Sequence, residues 1–321
     1  MPRASRIASQ TEDLADLAGL ITRMRAGERR AISRAVTELE RLSPAAPRLL
    51  KAMQPHLGHA LVVGFTGPPG AGKSTLVNAF TGQARRQGRT VGIIAVDPSS
   101  PVSGGAILGD RIRMTTTLDD DGVFMRSLAS RGHLGGLSPA AVRIIDALDA
   151  AGKDLILVET VGTGQSEIDV AEVADVRVLV TAPGLGDEIQ AMKAGLIEIA
   201  DIMVVNKADR EGADRTAQQL KSALSLRAHD RAGVPVLMTT ATTGQGLEEL
   251  ARAVAAAGAR AMAIAPRERR RRRARYLVAR AAADLIAERI RADARGEVDA
   301  LADAVLSGHL LPQDAARKLV G

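Results

Sequence analysis

The stretch Gly67-Pro68-Pro69-Gly70-Ala71-Gly72-Lys73-Ser74-Thr75 carries the plainest chemical signal in this chain. It fits the pattern G-x-x-x-x-G-K-[ST]. It lies between an apolar run, Ala60 to Phe65, and the helix-compatible Leu76-Val77-Asn78-Ala79-Phe80. Between a strand and a helix, this pattern forms a phosphate cradle. The glycines let the loop turn its backbone N–H groups toward phosphate oxygens. Lys73 is then placed to reach the β- and γ-phosphates, and the Ser74 hydroxyl to bind Mg2+.

A second motif, Asn206-Lys207-Ala208-Asp209, follows the short apolar run Ile202 to Val205. N-K-x-D downstream of a phosphate loop is a guanine-reading pattern. The Asp209 carboxylate can accept from guanine N1–H and the 2-amino group, and Asn206 can meet the other edge of the base. Adenine offers neither of those two donors and would leave a buried carboxylate unpaired. Thr240-Ala241-Thr242, after the next apolar run, occupies the place where a backbone N–H meets the guanine carbonyl.

Three carboxylates suggest a metal site. Glu159-Thr160-Val161-Gly162 ends the run Asp154 to Val158, where GTPases carry D-x-x-G. There the acid sits near Mg2+ and the glycine N–H meets the γ-phosphate. In this chain the acid is Glu159, and Gly162 is followed by Thr163 rather than the water-orienting Gln of Ras-like proteins. Slow intrinsic hydrolysis is expected, with Gln165 as a candidate for holding the water. Asp97-Pro98-Ser99-Ser100 and Gly109-Asp110-Arg111 flank the glycine-containing segment Ser103-Gly104-Gly105. Two acids beside a loop of this kind suggest Mg2+ coordination and a switch element. The competing readings are a helix N-cap for Asp97 and a solvated loop acid for Asp110.

The elements that must position these residues follow from hydrophobic patterning. Short, largely β-branched runs lie at residues 61–65, 91–96, 154–158, 176–180, 202–205 and 234–238, with helical segments between them. That alternation predicts an α/β fold: a mostly parallel central sheet flanked by helices, with ligands bound at the carboxyl ends of the strands. Residues 1–58 read as a helical N-terminal extension, with Leu17, Ile21 and Met24 and then Ile32, Val36 and Leu39 at helical spacing around Gly27. Residues 59–261 form the nucleotide-binding domain. Residues 262–321 form a helical C-terminal arm, in which Leu277, Val278, Ala281, Ala282, Leu285, Ile286 and Ile290 make an apolar stripe.

Composition excludes several classes. Without cysteine there is no disulfide framework and no thiolate metal site. Hydrophobic residues make up 46% but aromatics only 1%, so aliphatic side chains fill the core and base-stacking platforms for nucleic acid are not expected. The net charge of +6 is concentrated near residues 267–275, where a solvated helix start is the plainer reading of Arg269 to Arg273. No apolar run is long enough to span a membrane, and the first residues show no apolar secretory stretch, so a cytoplasmic protein is expected.

Taken in order, the motifs resemble the MeaB/ArgK/MMAA family of P-loop GTPases. Besides those above, the resemblance rests on Gly132-His133-Leu134-Gly135-Gly136 and on the continuation Thr163-Gly164-Gln165-Ser166-Glu167. It implies a P-loop NTPase that binds GTP or GDP and hydrolyses GTP, with Ser74, Asp97, Asp110 and Glu159 around Mg2+. The partner it implies is adenosylcobalamin-dependent methylmalonyl-CoA mutase or a related acyl-CoA mutase, which such proteins chaperone. It further implies a homodimer through the C-terminal arm. The segment Gly186 to Lys193 would be an additional switch loop that carries the partner's signal to the nucleotide, with Asp187, Gln190 and Lys193 as its polar members. The alternative class is a metallochaperone GTPase of hydrogenase or urease maturation. Such proteins need Cys or clustered His, and this chain offers only His56 and His59 as a near pair.

Overall fold

The computed structural model describes residues 16–97, 119–129, 137–160, 169–170, 172–185, 194–225, 233–292 and 296–320. Seven strands form one sheet: β1 (Leu61–Thr66), β2 (Val91–Asp97), β3 (Val123–Ala129), β4 (Leu155–Thr160), β5 (Val176–Thr181), β6 (Ile202–Val205) and β7 (Val236–Met238). Their order is β3-β2-β4-β1-β5-β6-β7, and every pairing is parallel. Parallel strands covered on both faces must be apolar throughout. That is why β1, Leu-Val-Val-Gly-Phe-Thr, is buried along its whole length.

Helices cover the two faces. On one, α4 (Lys73–Arg86) and α8 (Leu247–Met262) bury Leu76, Val77, Phe80, Leu250 and Val254 against Val63, Phe65, Val178 and Val204. Each such side chain contributes about 1.5–3 kcal/mol on burial. Together they fix the helix that begins at Lys73. On the other face, α6 (Ala194–Ile199) and α7 (Ala213–Ser225) place Leu196, Ile197, Ala217 and Leu220 against Leu179, Met203 and Val205. The fold class read from the alternation of strands and helices is therefore found.

The helical preface comprises α1 (16–25), α2 (Arg29–Arg41) and α3 (Ala46–Met53). Gly27, at φ 83°, makes the break between the first two. α2 buries Ile32, Val36 and Leu39 and packs on α5 (Pro139–Ala150).

Strand β3 is not among the runs picked out from sequence. It lies at the sheet edge, and Arg126 interrupts its apolar run. The guanidinium is accommodated because its Nε donates to Glu40 of α2 at 3.0 Å.

The chain divides into two compact units after Arg273, within α9 (Pro266–Arg291). The second unit holds the rest of α9, then α10 (Glu297–Leu306) and α11 (Pro312–Val320), which pack on each other. On this unit Val278, Leu285, Ile290, Leu306 and Leu311 are exposed. The arginine run is not a solvated helix start. Arg269 and Arg273 are buried in the first unit, and both donate to Asp175 just before β5. No helix among the described residues is long and apolar enough to cross a membrane.

Candidate functional site

The phosphate loop leaves the carboxyl end of β1, a central strand, and feeds α4 directly. Two glycines are fixed by space as well as by backbone. Gly67 has φ 142°, and a Cβ there would lie 1.9 Å from the Val180 carbonyl oxygen. Gly72 has φ 84°, and a Cβ there would lie 2.6 Å from Asn206 Nδ2. No larger residue fits either position without moving a neighbouring strand or the guanine motif. Gly72 caps α4 with no side-chain bond to the helix N-terminus, an arrangement suited to receiving an anion.

Lys73 is buried, and its ammonium donates to the carbonyls of Gly67 at 2.7 Å and Pro68 at 2.9 Å. These bonds bend the loop around the lysine. The next residue, Ser74, donates its hydroxyl to Glu159 Oε1 at 2.6 Å. Glu159 is itself buried, next to the last residue of β4. The first turn of α4 is thus joined to the carboxyl end of β4. A hydroxyl beside a carboxylate is a hard-oxygen donor pair, the ligand type that Mg2+ takes.

The guanine motif follows β6. Asn206 is buried and spends all four of its amide hydrogen-bonding positions inside the protein. Nδ2 donates to the carbonyls of Ala71 at 3.0 Å and Gly72 at 3.3 Å. Oδ1 accepts from Thr239 Oγ1 at 3.1 Å and from the Ala241 N–H at 3.2 Å. Through these bonds it braces the phosphate loop against the turn after β7.

Lys207 has a left-handed backbone, φ 57°, costly for a residue with a Cβ, and its ammonium reaches the Gly70 carbonyl at 2.7 Å. Asp209 is exposed and makes no hydrogen bond or ion pair to the described residues. Its carboxylate is open to a ligand. In Thr240-Ala241-Thr242, the Thr240 N–H bonds the Gln245 carbonyl at 3.0 Å and that of Ala241 bonds Asn206. This leaves Thr242 as the member of the three whose N–H has no acceptor among the described residues.

The structure therefore brings together Gly67 to Thr75, Glu159, Asn206, Lys207, Asp209 and Thr240 to Thr242 at one edge of the sheet. Asp97 ends β2, whose carboxyl end is two strands from that of β1. Its side chain lies outside the described residues, as do Asp110, Gly162, Thr163, Gln165, Asp187, Gln190 and Lys193. His56 and His59 line a cavity of about 360 Å³ with Asp149 and Asp154, at the opposite, amino end of the strands. Among the described residues no group of three His, Cys, Asp or Glu side chains is assembled to hold a metal.

What sequence reading missed is the role of long-range carboxylates. Asp149 accepts from the N–H groups of Gly58, His59 and Ala60, and Asp175 from that of Val62. Both fasten the lead-in to β1 and so the strand that carries the phosphate loop. The i, i+4 spacing of Arg269 and Arg273 was the available signal, since it puts both on one helix face.

Comparison with known proteins gives the family. The family profile for Methylmalonyl Co-A mutase-associated GTPase MeaB matches residues 32–295. A protein of Pyrococcus horikoshii is 54% identical over 235 residues, 72% of this chain and 74% of its own length. The GTPase ArgK of Escherichia coli is 41% identical over 249 residues, 75% of each chain. The crystal structure of an LAO/AO transport system kinase superposes with a TM-score of 0.74 at 28% identity, covering 95% of this chain and 96% of that one. With the phosphate loop, the Ser74–Glu159 pair and the guanine motif in place, the chain belongs to the MeaB family of GTP-hydrolysing P-loop proteins.

Proposed function

We propose that this GTPase serves as a chaperone of adenosylcobalamin-dependent methylmalonyl-CoA mutase, or of a related acyl-CoA mutase. It would gate cofactor loading and protect or reactivate that enzyme in the cytoplasm, acting as a homodimer. The observation that carries this reading is the match of the mutase-associated family across residues 32–295. A mouse relative, named as a homolog of methylmalonic aciduria type A, is 41% identical over 193 residues and points the same way. The exposed apolar residues Val278, Leu285 and Ile290 on α9 suit a self-complementary surface.

In this reading, Gly67 to Thr75 wrap the phosphates and Lys73 neutralises their charge. Ser74 and Glu159, with Asp97 and Asp110, would hold Mg2+, which supplies charge neutralisation between the phosphates. Gly162 would offer its N–H to the γ-phosphate. Asp209 accepts from guanine N1–H and the 2-amino group, and Thr242 offers an N–H to the guanine carbonyl. Asn206 and Lys207 hold the loop and the base pocket in register.

Lys73 acts in the ground state as well as the transition state, so it accelerates hydrolysis little by itself. With Thr163 in the water-orienting position, turnover of the isolated protein is expected at or below roughly one per minute, under the usual enzyme range. A bound mutase would bring Gln190 and Lys193 of the segment Asp187 to Lys193 toward the nucleotide.

The test is phosphate release with and without saturating mutase, for the parent and for Lys193→Ala. The parent should be stimulated at least about tenfold, equal to ~1.4 kcal/mol off the barrier, and the variant should lose that increment. No stimulation of the parent by any acyl-CoA mutase would overturn the chaperone reading and leave the GTPase assignment intact.

A further inference from the structure

Thr66, Thr160 and Thr181 stand at the carboxyl ends of β1, β4 and β5, three adjacent strands. They are 5%, 0% and 1% exposed, and each hydroxyl oxygen is buried with no hydrogen-bond partner among the described residues.

All three project from the same face of the sheet. The β1–β4 register, Leu61 opposite Leu155 through Phe65 opposite Glu159, carried one step further sets Thr66 beside Thr160. Thr66 also pairs with Leu179, two residues before Thr181. Paired residues of parallel strands share a face, and so do residues two apart. Phe65 and Glu159 point the other way, toward Phe80 and Ser74 of α4. The threonines therefore lie on the face away from α4, one residue from the phosphate loop on β1 and one residue from Glu159 on β4.

A buried hydroxyl with no partner is costly, and a valine of the same shape removes the cost. Other Thr hydroxyls of this protein find partners inside their own elements or across the site: Thr81 bonds the Val77 carbonyl and Thr239 bonds Asn206. The three orphans cluster at the one edge where the nucleotide binds.

We infer that Thr66, Thr160 and Thr181 are positioning residues whose hydroxyls gain their hydrogen bonds in the GTP-bound state. Each hydroxyl can donate one bond and accept two. Buried water drawn in behind the γ-phosphate, bridging Thr66 and Thr160, would hold the ends of β1 and β4 in the geometry that hydrolysis needs. The three hydroxyls would then complete their hydrogen bonds when GTP, rather than GDP, is bound. The inference rests on the reading that the phosphates occupy the loop Gly67 to Thr75.

The experiment compares the parent with Thr66→Val, Thr160→Val and Thr160→Ser. Thermal midpoints are measured without nucleotide, with GDP, and with a non-hydrolysable GTP analogue and Mg2+, and steady-state hydrolysis is followed in parallel. The valine variants should melt at or above the parent when nucleotide-free and keep the GDP increment. They should lose at least half of the additional increment given by the GTP analogue. Their kcat should fall at least fivefold with KM for GTP within twofold, and Thr160→Ser should restore both readouts. Valine variants that keep the parent's analogue increment and kcat would overturn the inference. So would variants that melt below the parent without nucleotide, since their hydroxyls would already have partners there. A parent that binds neither GDP nor the analogue would instead sink the phosphate-loop reading.

Discussion

Arg273 donates to Asp175 across 2.7 Å, and both side chains are almost wholly buried, 4% and 1% exposed. Arg269 reaches the same carboxylate oxygen at 3.2 Å and the Gly58 carbonyl at 2.7 Å. Arg273 also bonds the Val173 carbonyl at 2.9 Å. The first two turns of α9 are thus part of the GTPase unit, fastened where β1 and β5 begin. Removing the arginines leaves a buried carboxylate without compensation, which costs about 3–5 kcal/mol. A chain ending after Ala265 should therefore unfold at markedly lower urea than one ending after Arg275. Equal midpoints for the two truncated chains would show that the clamp contributes nothing.

The same two truncated chains separate stability from assembly. The apolar side chains exposed on the second unit, Val278, Leu285, Ile290, Leu306 and Leu311, are all lost on ending the chain at Arg275. That protein should be a monomer that still binds GDP, whereas the full chain should scatter light as a dimer. A full-length monomer at micromolar concentration would rule out the arm as the dimer element.

Nucleotide choice should rest on Asp209, whose carboxylate is exposed and makes no hydrogen bond or ion pair among the described residues. Asp209→Asn should weaken GTP binding by about 2–4 kcal/mol, because an amide cannot accept both guanine donors. The amide can donate to the 2-oxo group of xanthine, so xanthosine nucleotides should gain in relative affinity. Titration calorimetry with GDP and XDP reads this directly; a variant that binds GDP as the parent does would remove Asp209 from the base pocket.

The sequence made the sheet and the phosphate loop legible because both are local. Buried parallel strands show as short β-branched runs, and the loop carries its glycines, Lys73 and Ser74 within nine residues. β3 was missed because its Arg126 reads as polar, and the carboxylate that receives it, Glu40, lies 86 residues away. Arg269 was misread for the same reason, since Asp175 stands 94 residues from it. Asn206 was legible as part of a motif, but its brace to the phosphate loop was not. That its amide would be consumed by Ala71, Gly72, Thr239 and Ala241 depends on how three separate loops meet. A charged or amide side chain does not declare its partner, and only the fold supplies it.

Behind the clamp, Asp146 of α5 offers a pH test. Burial raises its carboxyl from an ordinary value of 3.8 to about 6; Arg270 and Arg273 oppose the shift and Asp149 adds to it. The fold therefore favours the protonated form. A carboxyl with a raised folded-state value contributes stability that is complete below about pH 3.8 and is lost as pH rises through about 6. The contribution is on the order of 2 kcal/mol, allowing for the partial exposure of the side chain. Asp120 has a lowered value because Arg85 bonds it, and its contribution runs the opposite way, lost as pH falls. The informative quantity is thus the difference between two proteins rather than either curve alone. Asp146→Asn keeps the shape and removes the titration. Relative to the parent, it should become progressively more stable as pH rises from about 4 to 7, with the gain levelling off above about pH 7. Urea midpoints at half-unit pH steps measure it. A difference between parent and variant that stays flat across this range would show that Asp146 titrates as an ordinary carboxylate.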